Sequence, residues 1–268
     1  MKRIEKIQAT EFLMSLDSRR YIDFIAASGQ SHVAADFYID DANNNDFIAH
    51  LKGGNTFNEY YFDLSRDEDI NFFCGLIKTR EKVFIDSAML YSYDENFYKN
   101  SLFIEQFEII EQHIEKKYGL FNKIKPHIIL PEYDIIREFT IDDINVIESF
   151  AKENEEYFPS YELLNHIDPL KNNSKIHKIY GYFRNDKLTA FITIHAVNIN
   201  YWNIGYIFTS PRYRKNGMGL NLAKYFINEF IDKNVFISYG SAQNENSQKT
   251  ALAAGFELFS EIYYCCVK

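Results

Sequence analysis

The stretch from Ile204 to Phe230 constrains the fold more than any other part of the sequence. Its residues, IGYIFTSPRYRKNGMGLNLAKYFINEF, read as an apolar strand, a proline-marked bend, a basic loop with two glycines and an amphipathic helix. Gly217 and Gly219 allow the backbone to turn with its N–H groups pointing the same way, and the start of a helix adds partial positive charge. This combination is suited to binding phosphate. A purely structural turn is the alternative, because many strand-to-helix connections contain glycines and basic residues.

The length of the chain, 268 residues, favours two compact units over one. We place the boundary near residue 128, so that the units are 1–128 and 129–268. The first unit is predicted to be mixed α/β. It has strand-like segments at 31–39, 59–64 and 82–93, a turn or exposed loop at 41–46 and an amphipathic helix over 101–117. The high aromatic content, 17%, supplies cores for both units and argues against disorder.

The second unit is predicted to alternate strands and helices around the glycine loop. A strand over 133–139 precedes a helix that Thr140 caps, and a hairpin turns at Asn185-Asp186. The strand, loop and helix of the opening stretch follow, and then a short apolar strand over 235–239, typical of a buried parallel strand. A short helix that ends at Gly255 and a final strand complete the order. The prediction is one mixed sheet, antiparallel at first and parallel around the glycine loop.

Charge and cysteine content exclude several classes of function. The net charge is −9, and acidic residues outnumber basic ones in both units, so we expect no nucleic-acid partner. The acidic surface favours cationic small molecules as ligands. Cys74, Cys265 and Cys266 offer neither a disulfide framework nor the spacing of a metal site, which fits a reducing compartment. No apolar run is long enough for export or for crossing a membrane. We therefore expect a cytoplasmic protein without a bound metal or a membrane partner.

Two motifs in this order of elements resemble the GNAT superfamily of acyl-CoA N-acyltransferases. Arg214, Gly217 and Gly219 match the family's Q/R-x-x-G-x-G/A loop, which follows a strand. Asn244 and Ser247 match its N-x-x-A/S segment, and Gly255-Phe256 follows at the family's spacing. The resemblance covers about residues 133–268. It implies a mixed α/β sheet of the GNAT type with a splayed parallel pair at the glycine loop.

The resemblance also implies acetyl-CoA as co-substrate and a place for it. Backbone N–H groups of the loop would wrap the pyrophosphate, and Arg214 would add charge. The pantetheine arm would lie between the splayed strands, paired with the backbone and with Asn244 near the thioester. The implied donor-binding residues are Ile207, Phe208, Thr209, Arg214, Lys215, Asn216, Gly217, Met218, Gly219, Leu220, Asn244 and Ser247.

The catalytic groups are less defined by the resemblance. Many relatives carry a tyrosine in the region of the second motif that acts as the acid for the leaving thiolate, and Ala251 occupies that position here. We consider Tyr239, Tyr264 and His195 as replacements for the acid or as the base, and a core role is the alternative for each. Further candidates, each with a structural alternative, are Tyr206 and Tyr263 as acids, Glu156 and Glu162 as holders of a cationic amine, and Cys265 and Cys266 as nucleophiles.

The leading hypothesis is an acetyl-CoA-dependent N-acetyltransferase that transfers acetyl to a primary amine by direct attack on the thioester. The acceptor stays open. The ending SEIYYCCVK loosely resembles the TDP-fucosamine acetyltransferases, which suggests an amino sugar or sugar nucleotide, and the N-x-x-S motif resembles the ribosomal-protein alanine acetyltransferases. An amine-bearing antibiotic or a longer acyl donor is also compatible. The rival hypothesis is an acyl-CoA sensor or partner-binding protein without turnover. The first unit would be a degenerate second copy, an acceptor lid or a homodimerisation unit.

Overall fold

The computed structural model describes residues 1–5, 8–9, 11, 34–40, 46–52, 58–81, 88–157, 163, 167–172, 174–198, 200–242 and 244–267. Parts of the predicted segments at 31–39, 41–46 and 82–93, and Glu162, lie outside these residues. The chain forms two compact units, one of residues 1–116 with 259–268 and one of residues 117–258. This division differs from the predicted boundary at 128, because the end of the chain belongs to the first unit.

The secondary-structure elements with described bounds follow in chain order. The strands are β1 (Lys2–Ile4), β2 (Ala34–Ile39), β3 (Phe47–Lys52), β4 (Asn58–Asp63), β5 (Ala88–Ser92), β6 (Ile109–Gly119), β7 (Asp134–Glu138), β8 (His177–Arg184), β9 (Lys187–Asn198), β10 (Tyr201–Thr209), β11 (Phe236–Ser241) and β12 (Glu257–Val267). The helices are α1 (Asp67–Glu81), α2 (Ser101–Ile104), α3 (Ile144–Glu153), α4 (Ile167–Lys171), α5 (Met218–Phe230) and α6 (Glu245–Ala254).

The first unit contains a mixed sheet. Strands β1 to β4 are antiparallel neighbours, β5 is parallel to β4, and β12 is antiparallel to β5 with β6 beside it. Aromatic side chains fill the core beneath the sheet, where Phe62, Phe73 and Phe97 are fully buried and in ring contact. The hydroxyl of Tyr98 donates to the carbonyl of Leu90 on β5 and to that of Tyr263 on β12. The C-terminal strand is therefore an integral part of this unit.

The predicted helix over 101–117 is wrong. Only Ser101–Ile104 is helical, with the Asn100 side chain accepting from the N–H of Leu102 at 2.9 Å, and the chain from Ile109 to Gly119 is strand β6. The pattern of apolar residues suggests one helical face, yet Ile110 and Ile114 are exposed. Pairing with neighbouring strands satisfies the backbone of β6, and such tertiary contacts override a local pattern.

The second unit has the predicted strand order as far as β11, and most of the final strand belongs to the first unit. Strands β7, β8, β9 and β10 are antiparallel neighbours, and β11 is parallel to β10. The hairpin between β8 and β9 turns at Asn185 and Asp186, whose φ angles of 48° and 62° are those of a tight type I′ turn. On the far side of β11, residues Lys117 to Gly119 of β6 occupy the antiparallel neighbouring position. The last strand of the sequence does not lie there, contrary to what the simple order suggests.

Helices cover both faces of the second sheet. On one face, α5 buries Leu222, Phe226 and Phe230 in a cluster that contains Ile204 and Ile192 of the strands. On the other face, α3 packs Ile147 and Phe150 in a cluster with Phe191 and Phe208. Each such apolar side chain stabilises the fold by about 1.5–3 kcal/mol when it is fully buried. The two faces are thus distinct, which matters for the site below.

None of the helices in the described part of the chain has the length and apolar character needed to cross a membrane.

Candidate functional site

A split between β10 and β11 opens a cleft in the second unit. The two strands pair from Tyr201↔Phe236 to Ile204↔Tyr239, and β10 then continues to Thr209 with pairing only to β9 in this fully described stretch. The register of β10 shifts between Ile204 and Tyr206, which makes Gly205 a bulged residue. A cleft of about 650 Å³ opens beyond this point. The predicted splayed parallel pair is therefore present.

Gly240 of β11 allows the strands to approach closely just before they part. A Cβ atom at this position would lie 2.8 Å from the carbonyl oxygen of Ile204, closer than real Cβ contacts. Any other residue would push β11 away from β10. Nothing in the local sequence pattern marks this glycine as important, and only the pairing register shows its role.

The basic loop at the end of β10 is held by its own side chains. Arg214 Nε donates to the carbonyl of Thr209 at 3.2 Å, and Asn216 Nδ2 donates to the carbonyls of Tyr213 and Arg214 at 3.1 and 3.3 Å. Lys215 adopts a φ of 65°, a left-handed conformation that costs a non-glycine residue about 1–2 kcal/mol. Such strain is kept where surrounding contacts fix the backbone, and it is common at ligand sites.

The loop ends with N–H groups that the helix itself does not use. Gly217 has a φ of 73° and precedes α5, and its carbonyl accepts the first helical bond, from the N–H of Asn221, at 2.9 Å. The N–H groups of Met218, Gly219 and Leu220 precede that bond, so they have no intrahelical partner. A Cβ atom on Gly217 would meet no atom within 4 Å, so open space lies beside this backbone. The helix start is suited to an anion.

Every predicted donor-binding residue except Asn216 lines this cleft. They are Ile207, Phe208, Thr209, Arg214, Lys215, Gly217, Met218, Gly219, Leu220, Asn244 and Ser247. Lys249 adds a third basic side chain to those of Arg214 and Lys215, and the described lining includes no aspartate or glutamate. A locally basic cleft in a chain of net charge −9 fits a ligand that carries phosphate groups.

Tyr239 of β11 and the first residues of helix α6 line the other side of the cleft. Asn244 caps this helix, because its Oδ1 accepts from the N–H of Ser247 at 2.9 Å. The hydroxyl groups of Tyr239 and Ser247 lie 3.0 Å apart. Tyr239 is almost completely buried, and burial raises the pKa of its phenol. Ala251, where many relatives have a tyrosine, is fully buried and has no polar group to offer.

The other predicted catalytic residues lie elsewhere. Tyr264 belongs to β12 in the first unit, where its ring contacts those of Tyr91 and His113, and it is not among the residues that line the cleft. The physical reason is that β12 pairs with β5 and not with β11. Burial raises the pKa of Tyr264 to about 12. His195 is half-buried on β9, opposite Asn203 of β10, and does not line the cleft.

The remaining candidates also have defined places. Tyr206 lines the cleft, whereas Tyr263 lies on β12. Cys265 is buried and its pKa is raised by that burial to about 12, which makes it a poor nucleophile. Glu156 is exposed and lines a second cavity of about 450 Å³. The described residues contain no group of three or more His, Cys, Asp or Glu side chains that could hold a metal ion.

A group of polar residues lies at the split, and of these the sequence singles out only His195. Thr193, His195, Asn203 and Ser238, here called the polar cluster, belong to three adjacent strands. Ser238 Oγ donates to Asn203 Oδ1 at 2.6 Å and lies 2.9 Å from the hydroxyl of Tyr201. The alternation of Thr193 and His195 along β9 indicates that these two share a face, but the contribution of β10 and β11 requires the register.

In the first unit, carboxylates bind the turn between β4 and α1. Asp46, just before β3, accepts from both the N–H and the hydroxyl of Ser65 in this turn at 2.9 Å, and Arg66 pairs with Asp40. Helix α1 begins with Asp67-Glu68-Asp69, which repel an anion. Strands β4 and β5 stay paired to Phe62↔Ser92 and do not split.

Residues 141–256 match the family model described as acetyltransferase (GNAT) family. The fold is similar to that of a Drosophila protein, with a TM-score of 0.65, 14% identity and coverage of 100% of this chain and 98% of that chain. It is also similar to a GCN5-related N-acetyltransferase-like protein from Streptococcus suis, with a TM-score of 0.56, 14% identity and coverage of 98% and 100%. A tandem GNAT protein from the clavulanic acid biosynthesis pathway is similar with a TM-score of 0.58 and 10% identity, and the match covers 98% of this chain and 93% of that chain. No curated protein sequence matches significantly.

Proposed function

We propose that the chain is an acetyl-CoA-dependent N-acetyltransferase that acts on a primary amine, because residues 141–256 match the family model of the GNAT acetyltransferases. The observation that carries the proposal is the basic cleft at the split of β10 and β11, which ends in an open helix start. A sensor without turnover would need the same cleft. We favour catalysis because the cleft also contains a buried phenol linked to a second hydroxyl, as described for Tyr239 and Ser247.

The donor would be held by backbone and basic groups of the loop. The N–H groups of Met218, Gly219 and Leu220 suit the diphosphate, with charge from Arg214 and Lys215. Beyond the split, the edge of β10 that faces away from β9 is suited to pairing with the amides of the pantetheine arm. Acetyl-CoA supplies the activated acetyl group. The residues of this chain orient it and exclude water from one side.

The reaction moves one acetyl group and one proton. The lone pair of a neutral amine attacks the thioester carbonyl carbon and forms the C–N bond, and the C–S bond breaks. The nitrogen gives up one proton to solvent, and the departing sulfur takes one. We assign that proton to Tyr239, because it lines the cleft and its hydroxyl lies 3.0 Å from that of Ser247, which can return a proton to it. Tyr239 would then replace the tyrosine that is missing at Ala251.

The proposed acceptor is a primary amine. The acidic character of the chain, with 38 acidic and 29 basic residues, favours an acceptor that is cationic before it reacts. Amino sugars, amine-bearing antibiotics and peptide amino termini all meet this condition.

A thiol-release assay tests the proposed function. The protein is mixed with acetyl-CoA and, in turn, glucosamine, an aminoglycoside and a peptide with a free amino-terminal alanine, and released thiol is measured. We expect amine-dependent release that saturates with both substrates. Calorimetric binding of acetyl-CoA without release in any mixture would favour the acyl-CoA sensor. Faster release from longer acyl-CoA donors would redefine the acyl group.

We propose further that the first unit repeats the fold of the second without a donor site. Both units have antiparallel strands followed by a parallel pair and a connecting helix, β4-α1-β5 in one and β10-α5-β11 in the other. In the first unit the carboxylate of Asp46 takes the N–H of Ser65, and the parallel pair stays closed. One donor per chain follows from this proposal.

A further inference from the structure

A second cavity of the second unit, of about 450 Å³, has no part in the proposed acetyl transfer. Three short segments line it: the end of α3 with the residues after it (150–157), the start of β9 (187–188) and the turn after β10 (210–213). Small-molecule sites commonly have volumes of about 300–1,000 Å³, so a ligand can fit this space. The described lining includes no residue of the basic loop from Arg214 to Leu220, whereas that loop lines the donor cleft. The second cavity is therefore a neighbour of the donor cleft and not a part of it.

Direct contacts hold the three segments together. The N–H of Ser210 donates to the carbonyl of Thr189 on β9 at 2.9 Å, and the carbonyl of Ser210 accepts from the N–H of Tyr213 at 2.8 Å. Lys187 at the start of β9 binds Glu153 of α3 at 2.8 Å. The walls of the cavity are therefore in place before a ligand binds.

Asn154 offers the cavity a buried hydrogen-bond acceptor. Its relative exposure is 3%, and its Nδ2 donates to the carbonyl of Phe150 at 2.9 Å. Its Oδ1 has no hydrogen bond to any residue that the structure describes. A buried amide oxygen is rarely left unpaired, because its removal from water without a partner costs free energy. A ligand N–H group that donates to Oδ1 would remove this cost.

Ser210 offers a second polar group, from the turn after β10. It is also buried, at 8% exposure, and its side chain caps no backbone N–H of the turn that begins at Pro211. Its hydroxyl makes no hydrogen bond within the described part of the chain. Two largely buried polar side chains, Asn154 and Ser210, therefore line one cavity with unused hydrogen-bonding capacity.

The charged side chains of the cavity are balanced. Lys187 and Glu153 neutralise each other, whereas Arg212 and Glu156 have no ion-pair partner among the described residues. Both are exposed, so the lining presents one free cation and one free anion to solvent. A ligand with phosphate groups alone would be repelled by the free carboxylate, and a ligand with ammonium groups alone would be repelled by the free guanidinium. The cavity is suited to a ligand that carries one charge of each sign.

The two free charges lie on different segments, each beside one of the unpaired polar groups. Arg212 and Ser210 belong to the turn after β10, and both can donate to a carboxylate. Glu156 and Asn154 follow α3, and both can accept from an ammonium group. Apolar side chains also line the cavity, namely Phe150, Leu188 and Pro211.

We infer that the second cavity binds a free α-amino acid with an apolar side chain. The carboxylate of the amino acid binds Arg212 and Ser210, and its ammonium group binds Asn154 and Glu156. Its hydrocarbon side chain packs on the apolar lining. No covalent bond is made or broken at this site, and the inference stands independently of acetyl transfer.

The position of the cavity separates this ligand from the acetyl acceptor. The turn over 210–213 follows Thr209, the last residue of β10, and lies next to the proposed diphosphate site. The strands split after Ile204, which is roughly 16 Å away along β10 at the rise of an extended strand. Tyr157 and Tyr213 line both spaces, so the amino acid and the donor would be bound side by side.

The first part of the test identifies the ligand chemistry. Binding of L-leucine, L-methionine and L-phenylalanine to the full chain is titrated by saturation-transfer NMR, and at least one should bind saturably. The matched controls for the amino acid that binds best are the corresponding amine without the carboxylate and the corresponding acid without the ammonium group. For L-leucine these are isoamylamine and isocaproate. Each should bind at least about tenfold more weakly, the scale of a lost hydrogen bond to a charged group.

The second part locates the site with single variants. Arg212→Gln and Glu156→Gln should each raise the Kd for the amino acid about tenfold, and Ser210→Ala should raise it about threefold, the scale of a neutral hydrogen bond. Lys152→Gln and Glu155→Gln are the matched controls, because both residues are exposed near the end of α3 and neither is in the described lining. They should keep the wild-type Kd. Thermal unfolding checks that every variant is folded.

Saturating coenzyme A separates the second cavity from the donor cleft. Binding of the amino acid should persist in its presence, and displacement by coenzyme A would overturn the inference. Absence of saturable binding for all three amino acids, or a wild-type Kd in both Arg212→Gln and Glu156→Gln, would also overturn it. Equal binding of the amine or of the acid control would contradict the recognition of a zwitterion. If coenzyme A itself does not bind, the proposed function fails, and the titration with amino acids alone still decides this inference.

Discussion

Replacing Gly217 by valine tests the phosphate loop most sharply. The left-handed φ of 73° costs an L-residue about 1–2 kcal/mol, and a β-branched side chain lies at the upper end. This strain is present with and without ligand, so on its own it lowers the free energy of unfolding and leaves affinity unchanged. The valine side chain, however, would project into the open space beside the N–H groups of Met218 and Gly219. Each lost hydrogen bond to a charged group weakens binding by about 1.5–3 kcal/mol.

We therefore expect Gly217→Val to weaken acetyl-CoA binding by at least about tenfold, since 1.4 kcal/mol is a factor of ten. Isothermal calorimetry gives the affinity, and thermal unfolding gives the stability. Gly255→Val is the matched control, because Gly255 also has a positive φ, 102°, but ends α6 at the helix terminus opposite Asn244 and Ser247. The Gly255→Val protein should lose about as much stability as the Gly217→Val protein and should keep the wild-type affinity for acetyl-CoA. Wild-type affinity in a folded Gly217→Val protein, or an equal loss in Gly255→Val, would refute the reasoning.

Three further predictions concern the two units, the cleft and a buried ion pair. Calorimetric titration should give one acetyl-CoA per chain, and two would contradict the closure of the first unit by Asp46. Tyr239→Phe should lower kcat about 100-fold with an unchanged Kd for acetyl-CoA, and a wild-type rate would remove Tyr239 as the acid. The hydrogen bond from Arg184 lowers the pKa of Asp134 in the folded protein, so its stabilisation is complete above the unfolded pKa of about 3.9 and is lost as pH falls through the folded pKa. Asp134→Asn should lower the free energy of unfolding near neutral pH by about 1–3 kcal/mol and flatten its acid dependence, whereas an unchanged acid limb would exclude this ion pair as its cause.

The donor side of the site is accessible to sequence reasoning because it depends on local geometry. A loop that begins at Arg214 and places Gly217 before a helix fixes its own N–H directions within a few residues. The capping of α6 by Asn244 is local in the same way. Such features follow from backbone conformation, which the types of a few neighbouring residues largely determine.

Features that depend on distant pairing cannot be predicted in this way. The apolar pattern of strand β6 by itself predicts a helix. The segment is a strand because it lies between β11 and β12, and these neighbours are far away in sequence. Strand β12 pairs with β5, which is also distant in sequence, and Tyr264 on β12 therefore does not line the cleft. The close approach of Gly205 to Thr193 and His195 depends on the relative register of β9 and β10, since these contacts exist only across that pair. Alternation along one strand gives a face, but it does not give the neighbour opposite.

The most direct test of acetyl transfer follows the acetyl group itself. The purified protein is incubated with acetyl-CoA that carries a deuterated acetyl group and with each amine of the panel, and the amine is analysed by mass spectrometry. We predict a labelled amide in at least one mixture, formed in step with thiol release and abolished or strongly reduced by Gly217→Val. Bound donor without any labelled amide, or label on an amine in equal amount without the protein, would contradict the account.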